Sequence, residues 1–422
     1  MKLNFETIIL KNKIPFFLFI ALTLRIIIAI YYGDRDLTED SAHEWGVLFN
    51  NLKSYGDLYW FYDGNYKYPS LFMPPLYPYF IYLLDIFPSN NIILKIISVQ
   101  ILISLISSFY IYKICEKISN KNISLIAFLI FSFYPANLYS SSQVSSITIV
   151  MFLYVFFLYV LINNKNFIWL GLIGGFGILA RGEFFLIFFI SLIYLLFSKK
   201  INIFKTFLIF FITLIILSPY LTRNYKIFNK LVITQSTGYV LWRGNNSLSS
   251  VDSIIADREI GKVLNITLPK DYYFKNEEIR NIYDQLYKIK YNPKHDLLRD
   301  KIFFDRAVDN ITNDPIKYFF LSIKKFFSFM FINLDSNYPN YYNIFSILPE
   351  FLLSIGAFLG IILNIKNIIK LKFIYFYTFY ILSVYSCLLI LPRYKLILLP
   401  TYSIFFALFI NCLLSKFSKK KI

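Results

Sequence analysis

The sequence is poor in charged residues, and this scarcity excludes a soluble globular protein. Only 16% of its 422 residues are Asp, Glu, Lys or Arg, whereas 57% are hydrophobic and 20% are aromatic. Soluble domains carry about 25% charged residues. The composition is therefore that of an integral membrane protein.

Cysteine and histidine are scarce as well. The three cysteines, Cys115, Cys387 and Cys412, lie in or beside apolar runs, so they imply no disulfide framework. The two histidines, His43 and His295, are far apart in the sequence. The paired-histidine spacing that marks many metal sites is therefore missing.

Acidic residues are outnumbered by basic ones, which gives a net charge of +18. A basic balance can indicate a nucleic-acid partner. Here, however, Lys and Arg form short clusters between apolar runs, and that pattern orients a polytopic membrane protein in the bilayer. No nucleic-acid partner is predicted.

The apolar runs predict an all-α polytopic protein with about ten membrane-spanning helices. The predicted spans are 14–32, 92–112, 123–139, 145–162, 166–180, 183–198, 203–221, 344–363, 373–391 and 394–414. Two further apolar stretches are not counted. Stretch 74–87 is short and holds three prolines, while stretch 315–331 holds three lysines and is predicted to lie on the membrane surface as an amphipathic helix.

The positions of the lysines test this assignment of spans. With the N-terminus in the cytoplasm, every predicted inner segment is basic, including the tail at residues 416–421, as the positive-inside rule expects. Both termini are therefore predicted to be cytoplasmic, in a cell membrane such as a bacterial inner membrane.

The orientation also divides the chain into three parts with a small extracytoplasmic segment and surface helices on the outer face. Residues 1–221 form an N-terminal transmembrane module with a first outer loop at 33–91. Residues 222–343 form an extracytoplasmic loop region with the amphipathic helix 316–331. Residues 344–422 form the C-terminal transmembrane helices.

The first outer loop holds the candidate for catalysis. An acidic run, GDRDLTED at residues 33–40, directly follows the first span. Ser41 and Glu44 have the spacing of a capping box, so a helix is predicted to begin at Ser41. The ionised form of Asp40 is favoured beside this helix N-terminus, where it could accept a proton from a substrate hydroxyl. The alternative is that Asp40 only caps the helix.

The same loop offers a weak metal signal. His43 could bind a divalent ion together with Glu39, Asp40 or Glu44, and carboxylate ligands favour Mg, Mn or Ca. Glu39, His43 and Glu44 could instead contact the acceptor. No cofactor is predicted with certainty.

Four arginines at predicted membrane edges are candidates for binding a phosphate: Arg181, Arg223, Arg243 and Arg393. The guanidinium group suits bidentate phosphate binding, and a phosphate carried on a lipid would lie at this depth. Arg181 has the alternative of pairing with Glu183 or snorkelling to the interface.

Six segments together resemble the polyprenyl-phosphate-sugar-dependent glycosyltransferases of the glycosyltransferase C superfamily, in the branch of protein O-mannosyltransferases and lipid A aminoarabinose transferases. In the family's order, they are the acidic stretch from Asp40 to Gly56, PPLYP at 74–78, GLIGGFGILARGE at 171–183, SPYLTRNY at 218–225 continuing to LWRGNN at 241–246, DPIKY at 314–318, and RYK at 393–395 with Pro400. The fourth is the most specific, because family members show a similar P-W-x-x-R-N-Y followed by N-L-W-x-G-N.

The resemblance implies a membrane glycosyltransferase whose motif loops face outward. Its donor would be a polyprenyl-phosphate sugar that enters sideways from the membrane lipid, and its acceptor would be a protein, a glycolipid or a glycan. It also implies that Asp40 is the catalytic base. A direct single displacement of this kind would invert the anomeric carbon.

One departure from the family concerns the second outer loop. Residues 139–146 read YSSSQVSS and hold no carboxylate, whereas family members often carry an acidic residue there. If that acid binds acceptor or metal, this protein does so differently. Gly182 also replaces the proline that follows the family's arginine.

Other functions are open at this point. A transporter or lipid flippase would also be polytopic and basic, although the sequence shows no internal repeat and no pair of corresponding broken helices. A catalytically idle scaffold of the cell envelope would fit the missing acid. A polysaccharide polymerase or ligase would also use lipid-linked sugars on the outer face.

Overall fold

The structure, a computed structural model, describes residues 2–37, 43–62, 66–88, 91–163, 166–251, 274–333 and 343–419. Within these residues it is helical apart from one antiparallel hairpin, in which Tyr59 pairs with Pro69 and Tyr62 with Tyr66. The predicted all-α membrane architecture is confirmed.

The N-terminal half contains these elements in chain order: α1 (Lys2–Tyr32), α2 (His43–Tyr55), β1 (Tyr59–Tyr62), β2 (Tyr66–Pro69), α3 (Leu76–Asp85), α4 (Ile92–Ile118), α5 (Lys121–Phe133), α6 (Pro135–Ser140), α7 (Ile147–Asn163), α8 (Phe167–Ala180), α9 (Phe184–Phe197) and α10 (Ile203–Phe228). The C-terminal half contains α11 (Thr237–Gly244), α12 (Glu277–Lys288), α13 (His295–Asn313), α14 (Pro315–Met330), α15 (Ile344–Leu363), a 3₁₀ turn (Ile365–Asn367), α16 (Ile368–Cys387), a second 3₁₀ helix (Pro392–Ile397) and α17 (Leu399–Lys419).

Each of the ten predicted spans overlaps mainly with one of these helices. Five helical segments of the described chain are long and apolar enough to cross a membrane: Lys13–Tyr32, Ile92–Ile118, Ile203–Phe228, Ile344–Leu363 and Ile365–Cys387. Five other apolar helical segments have 10–17 residues, shorter than the roughly 20 residues that a perpendicular crossing needs. They are Lys121–Phe133, Ile147–Asn163, Phe167–Ala180, Phe184–Phe197 and Leu399–Ser415. The chain is thus a multi-pass membrane protein, and the count of ten crossings stays a prediction.

Two predicted spans differ in detail from the helices observed. Span 123–139 is divided between α5 and α6 at Tyr134, which is extended because Pro135 follows it. Span 394–414 begins as the 3₁₀ helix Pro392–Ile397 before α17 starts. The helix predicted to begin at Ser41 is described only from His43, since residues 38–42 lie outside the described parts.

Asparagine fixes where many helices begin. In six of the described helices an Asn at the N-cap accepts a hydrogen bond from a backbone N–H of the first turn, and these residues are Asn91, Asn120, Asn166, Asn202, Asn276 and Asn343. Such a cap satisfies one of the four N–H groups that a helix start leaves without a partner.

Small residues allow α8 to pack closely against α10. A Cβ atom on Gly171 would lie 2.7 Å from a carbon of Ile212, and one on Gly175 would lie 2.6 Å from a carbon of Ile216. Glycines four residues apart on one helix face are the usual means of close helix approach in membranes. This packing fixes the C-terminal end of α8, where Arg181 follows.

A second apolar core lies apart from the helix bundle, between α11, α12 and α13. Trp242 and Phe303 are fully buried there, with ring centroids 4.8 Å apart. The carboxylate of Glu278 accepts hydrogen bonds from Trp242 Nε1 at 2.7 Å and from Asn310 Nδ2 at 2.7 Å. This core gives α11, α12 and α13 a packed structure of their own.

Candidate active site

The predicted catalytic residue and one of its neighbours cannot be placed. Asp40 and Glu39 lie outside the described residues. His43 is the first residue of α2, and Glu44 lies exposed in its first turn. The apolar stripe predicted for this helix is buried: Trp45, Leu48, Phe49 and Leu52 are each less than 9% exposed.

The first and second outer loops are joined by a carboxylate that the sequence argument did not single out. Asp34 is buried, and its Oδ2 accepts the backbone N–H of Val144 at 2.6 Å. Gln143, in the loop that lacks the family's acid, donates through Nε2 to the carbonyl of Tyr32 at 2.7 Å. The only sequence signal for Asp34 was its place in the acidic run after the first span.

A small cavity lies between the first outer loop and the helices around Arg181. Its volume is about 10 Å³, close to the least space that holds one water molecule. Its walls come from α2, α3, α7 and α8, and it is lined by Trp45, Pro74, Leu76, Tyr77, Ser146, Ile149, Val150 and Ala180. The helix that follows Asp40 in sequence thus meets the end of α8 that carries Arg181.

Arg181 is held by a hydroxyl and a carboxylate. Its Nη1 donates to Tyr385 Oη at 2.8 Å and lies 3.4 Å from Glu183 Oε1. The Tyr385 hydroxyl in turn donates to the same Glu183 oxygen at 2.5 Å. The alternative of an Arg181–Glu183 pair is therefore present, and Tyr385 strengthens it.

Arg181 and Arg393 share one aromatic ring. The guanidinium carbon of Arg181 lies 4.8 Å from the centroid of Tyr394, and that of the exposed Arg393 lies 5.7 Å from it. The rings of Tyr394 and Tyr385 are 5.0 Å apart. Two of the four predicted arginines are thus brought together, although they come from distant parts of the chain.

Arg243 lies near the end of α11, which is fixed by a buried lysine. Lys325 of α14 is fully buried, and its Nζ donates to the carbonyls of Gly244 at 2.6 Å and Leu388 at 3.0 Å. Gly244 is required at this contact, because a Cβ there would lie 1.8 Å from the Leu388 oxygen. Burial lowers the pKa of Lys325 to about 7.

The C-terminal end of α16 connects these two groups of residues. Tyr385, which bonds Arg181, lies three residues before Leu388, which accepts from Lys325. Phe329, one turn after Lys325 on α14, places its ring 5.5 Å from that of Tyr385. The residues that hold Arg181 and Arg393 are therefore in contact with those that fix the end of α11, where Arg243 lies.

Arg223 makes different contacts from the other three arginines. Its Nε donates to Asp57 Oδ1 at 2.8 Å, its Nη1 to the Ser70 carbonyl at 3.0 Å and its Nη2 to the Leu58 carbonyl at 3.0 Å. These bonds tie α10 to the hairpin of the first outer loop. A phosphate would have to compete with these acceptors for Arg223.

The described residues hold no group of three or more His, Cys, Asp or Glu side chains that could bind a metal. Asp34, a carboxylate that contacts the second outer loop, is engaged by the Val144 N–H. Three of the predicted ligands, Glu39, Asp40 and the His43 side chain, fall outside what the structure describes. The residues described thus do not fit a metal centre by themselves.

A known protein family matches part of the chain. Residues 73–222 match the family of dolichyl-phosphate-mannose-protein mannosyltransferases. This match covers the PPLYP and GLIGGFGILARGE segments and ends at Thr222. No curated protein matched the chain.

Solved structures of the Archaeoglobus fulgidus oligosaccharyltransferase share the fold. The form tethered to an acceptor peptide has a TM-score of 0.52 at 11% identity, over 95% of this chain and 50% of that one. The form named AglB, with an inhibitory peptide and a dolichol-phosphate, has 0.52 at 12% identity, over 96% and 51%. The form with Zn and sulfate has 0.53 at 13% identity, over 95% and 49%.

This chain spans about half the length of those archaeal proteins. The predicted resemblance is confirmed at the level of fold, and the family pattern is confirmed over the matched segment. The chain is a multi-pass membrane protein of the glycosyltransferase C fold that carries, over residues 73–222, the pattern of the dolichyl-phosphate-mannose-protein mannosyltransferase family.

Proposed function

We propose that this protein is a membrane glycosyltransferase that moves a sugar from a polyprenyl-phosphate donor to an acceptor hydroxyl. One observation carries the proposal: Arg181 and Arg393 lie on the same tyrosine ring. Ala180, which precedes Arg181, shares a small cavity with Trp45 of the helix that follows Asp40. Two guanidinium groups at the outer ends of apolar helices suit the phosphate of a membrane lipid. The family match over residues 73–222 supports this substrate class.

The arginines act on the leaving group. As the bond between the anomeric carbon and the phosphate oxygen breaks, its electron pair goes to the phosphate. Arg181 and Arg393 stabilise that developing charge, and Arg243, near the end of α11, contributes to the same stabilisation. Tyr385 and Glu183 hold Arg181 in place before the reaction, so little reorganisation is needed.

Asp40 acts on the acceptor. Its carboxylate takes the proton of the acceptor hydroxyl while the oxygen forms a bond to the anomeric carbon. The products are the glycosylated acceptor and a polyprenyl monophosphate, and the single displacement inverts the anomeric carbon. Glu39, His43 and Glu44 contact the acceptor in this proposal, and no step depends on a metal ion.

The site faces the extracytoplasmic side in this proposal, with both termini in the cytoplasm. Residues 1–221 and 344–422 form the membrane modules, and 222–343 form the outer region. The basic segments at 199–205 and 416–421 support this orientation. A protein, a glycolipid or a glycan serves as acceptor.

Release of labelled sugar tests the proposal. Purified protein in detergent is incubated with radiolabelled polyprenyl-phosphate sugars, wild type beside Asp40→Asn and Arg181→Ala. We expect label to leave the lipid only with wild type. Folding of each variant is checked by its thermal melting curve.

The outcomes separate the alternatives. No release from any donor by folded wild-type protein would favour a transporter or a scaffold. A polyprenyl diphosphate product would identify a polymerase or ligase. Undiminished turnover of Asp40→Asn would remove Asp40 from the mechanism.

A divalent ion at the first outer loop is the second proposal for this site. A related fold is known in complex with Zn, but among the described residues only Glu44 of the predicted ligand set has a placed side chain. Loss of sugar release after treatment with EDTA, restored by Mg, Mn or Ca, would support it. Full activity in EDTA would exclude it.

A further inference from the structure

A cleft on the outer region shares no lining residue with the small cavity of the candidate active site. Its volume is about 460 Å³, within the range of roughly 300–1,000 Å³ that is usual for small-molecule sites. It lies between the outer end of α10, the start of α11 and one face of α13. It is lined by Phe228, Lys230, Gln235, Thr237, Lys294, Leu297, Leu298, Asp300, Lys301 and Phe304.

The cleft is positively charged because its lining has three lysines and one aspartate. The side chains of Lys230, Lys294 and Lys301 are exposed, and none of them forms an ion pair with a described residue. The only acidic residue of the lining, Asp300, is buried, and both its oxygens accept hydrogen bonds. These come from the Tyr239 N–H at 3.0 Å and from Gln235 Nε2 at 2.9 Å.

One face of α13 supplies most of the cleft wall. Lys294, Leu297, Lys301 and Phe304 follow each other at spacings of three or four residues, so they lie on the same side of the helix. Phe304 is 44% exposed, which leaves an aromatic surface beside the lysines. A flat apolar ring next to cations suits a ligand with both a negative group and an apolar face.

The cleft walls are firmly held. The Gln235 N–H donates to the Leu71 carbonyl at 2.9 Å. Gly238 packs so closely on α13 that a Cβ would lie 2.1 Å from the Asp300 carbonyl oxygen. A site with fixed walls loses little conformational entropy when it binds a ligand.

We propose that this cleft binds an acidic saccharide. The lysines contact its carboxylate or phosphate groups, a sugar ring packs on Phe304, and Gln235 and Thr237 hydrogen-bond its hydroxyls. The anion site stands on the geometry alone, whereas the saccharide rests on the proposed function. Thr237 and Arg243 are six residues apart on α11, about 9 Å along the axis, so a saccharide chain in the cleft could extend toward the proposed active site.

Direct binding tests the cleft without any sugar donor. The full chain in phosphatidylcholine nanodiscs is titrated with tetragalacturonate, and the dissociation constant is measured by isothermal titration calorimetry. We expect binding, with little or none for the neutral maltotetraose. Absence of tetragalacturonate binding would overturn the proposal.

Two variants locate the binding. Changing Lys230, Lys294 and Lys301 together to Gln, or Thr237→Trp alone, should weaken binding by about tenfold or more. The matched control changes the exposed Lys275, Lys288 and Lys317 to Gln and should leave affinity unchanged.

Other outcomes would overturn one or both parts. Equal losses in both triple variants, or no effect of Thr237→Trp, would show general charge attraction and not a cleft. Equally tight binding of a tetraglutamate peptide, or competition by phosphatidylglycerol nanodiscs, would overturn the saccharide assignment. Tetragalacturonate binding by a protein that releases no sugar would contradict the proposed transferase and leave the cleft standing.

Discussion

Tyr385 is the residue on which the proposed donor site depends most directly. Its hydroxyl accepts from Arg181 and donates to Glu183, so Tyr385→Phe removes both bonds and changes nothing else in the ring. A hydrogen bond to a charged group contributes about 1.5–3 kcal/mol. We therefore expect the rate of sugar release to fall by about tenfold to a hundredfold, measured with the labelled lipid donor.

Tyr375→Phe is the matched control for this change. Tyr375 lies on the same helix, but its hydroxyl donates to the Ile361 carbonyl at 2.7 Å, far along α16 from Arg181. The control should retain full turnover. Equal rates for the two variants would mean that Tyr385 does not position Arg181.

The sequence predicted two arginines of this site, but not Tyr385 or Asp34. Arg181 and Arg393 were predicted because a charge beside an apolar run stands out in the sequence. Tyr385 was not, because it is one of 35 tyrosines and its partners lie between α8 and α9, about 200 residues earlier. Asp34 was missed for a related reason, since a backbone N–H in a distant loop leaves no trace in the sequence.

α14 is the element whose placement differs most from an ordinary surface helix. Tyr318, Leu321, Lys325 and Phe329 face inward and are buried, whereas an apolar outer face is exposed, formed by Ile316, Phe319, Phe320, Ile323 and Phe327. Lys325 bonds the C-terminal carbonyls of α11 and α16, where the helix dipoles favour a positive charge. The helix thus joins the outer region to the bundle.

Burial of Lys325 predicts a pH dependence of stability. Its pKa is lowered from 10.5 to about 7 in the folded protein. Between these pH values the unfolded chain binds one more proton, so stability rises with pH, by about 1.4 kcal/mol per unit. The thermal melting temperature of wild type minus that of Lys325→Met should rise from pH 7 to pH 10.

Lys324→Met serves as the control, because Lys324 is the exposed neighbour of Lys325. The difference in melting temperature between wild type and Lys324→Met should not change over the same pH range. If the melting-temperature difference for Lys325→Met were also independent of pH, the Lys325 ammonium would be solvated and not buried between the ends of α11 and α16.

Glu278, on α12 of the outer region, is a second buried ionisable group whose shifted pKa predicts a pH dependence of stability. Burial raises its pKa, but hydrogen bonds from Ser247, Asn310 and Trp242 outweigh burial and lower the pKa below 4.5. Its stabilising contribution is therefore full above pH 4.5 and is lost as the pH falls through the lower folded value. Glu278→Gln should melt at a lower temperature than wild type at pH 7, and this difference in melting temperature should become smaller as the pH falls below 4.5.

Glu277→Gln provides the comparison for this prediction. Glu277 is adjacent on α12 but exposed, so its loss should change the melting temperature little at any pH. An equal effect of the two substitutions would remove Glu278 from the core of the outer region.

The elements themselves were largely predictable, and their ends were not. Hydropathy located all ten apolar helices, because burial in lipid selects composition over a whole segment. The break at Tyr134 and the 3₁₀ helix Pro392–Ile397 escaped prediction. Both depend on where backbone groups find partners in the folded chain, which hydropathy does not record.

For the whole molecule, the proposed orientation makes a direct prediction. In a chain whose cysteines are changed to serine, Lys288→Cys on α12 should react with a membrane-impermeant maleimide in intact cells. Lys205→Cys at the start of α10 should react only after the cells are permeabilised. The reverse pattern would show the opposite orientation, with Arg181, Arg243 and Arg393 on the cytoplasmic side.

The contact of Gly244 with Leu388 also bears on how the chain can change over evolution. With 1.8 Å between a hypothetical Cβ and the Leu388 oxygen, every other amino acid must push α11 away from α16. In a library in which each codon near α11 is randomised and active clones are sequenced, position 244 should therefore return glycine alone. The neighbouring exposed Ser247 bonds Glu278 through its backbone N–H at 2.9 Å, which other residues also supply, so position 247 should return many residues. The mutational record of this short stretch would then mark the junction between the outer region and the bundle.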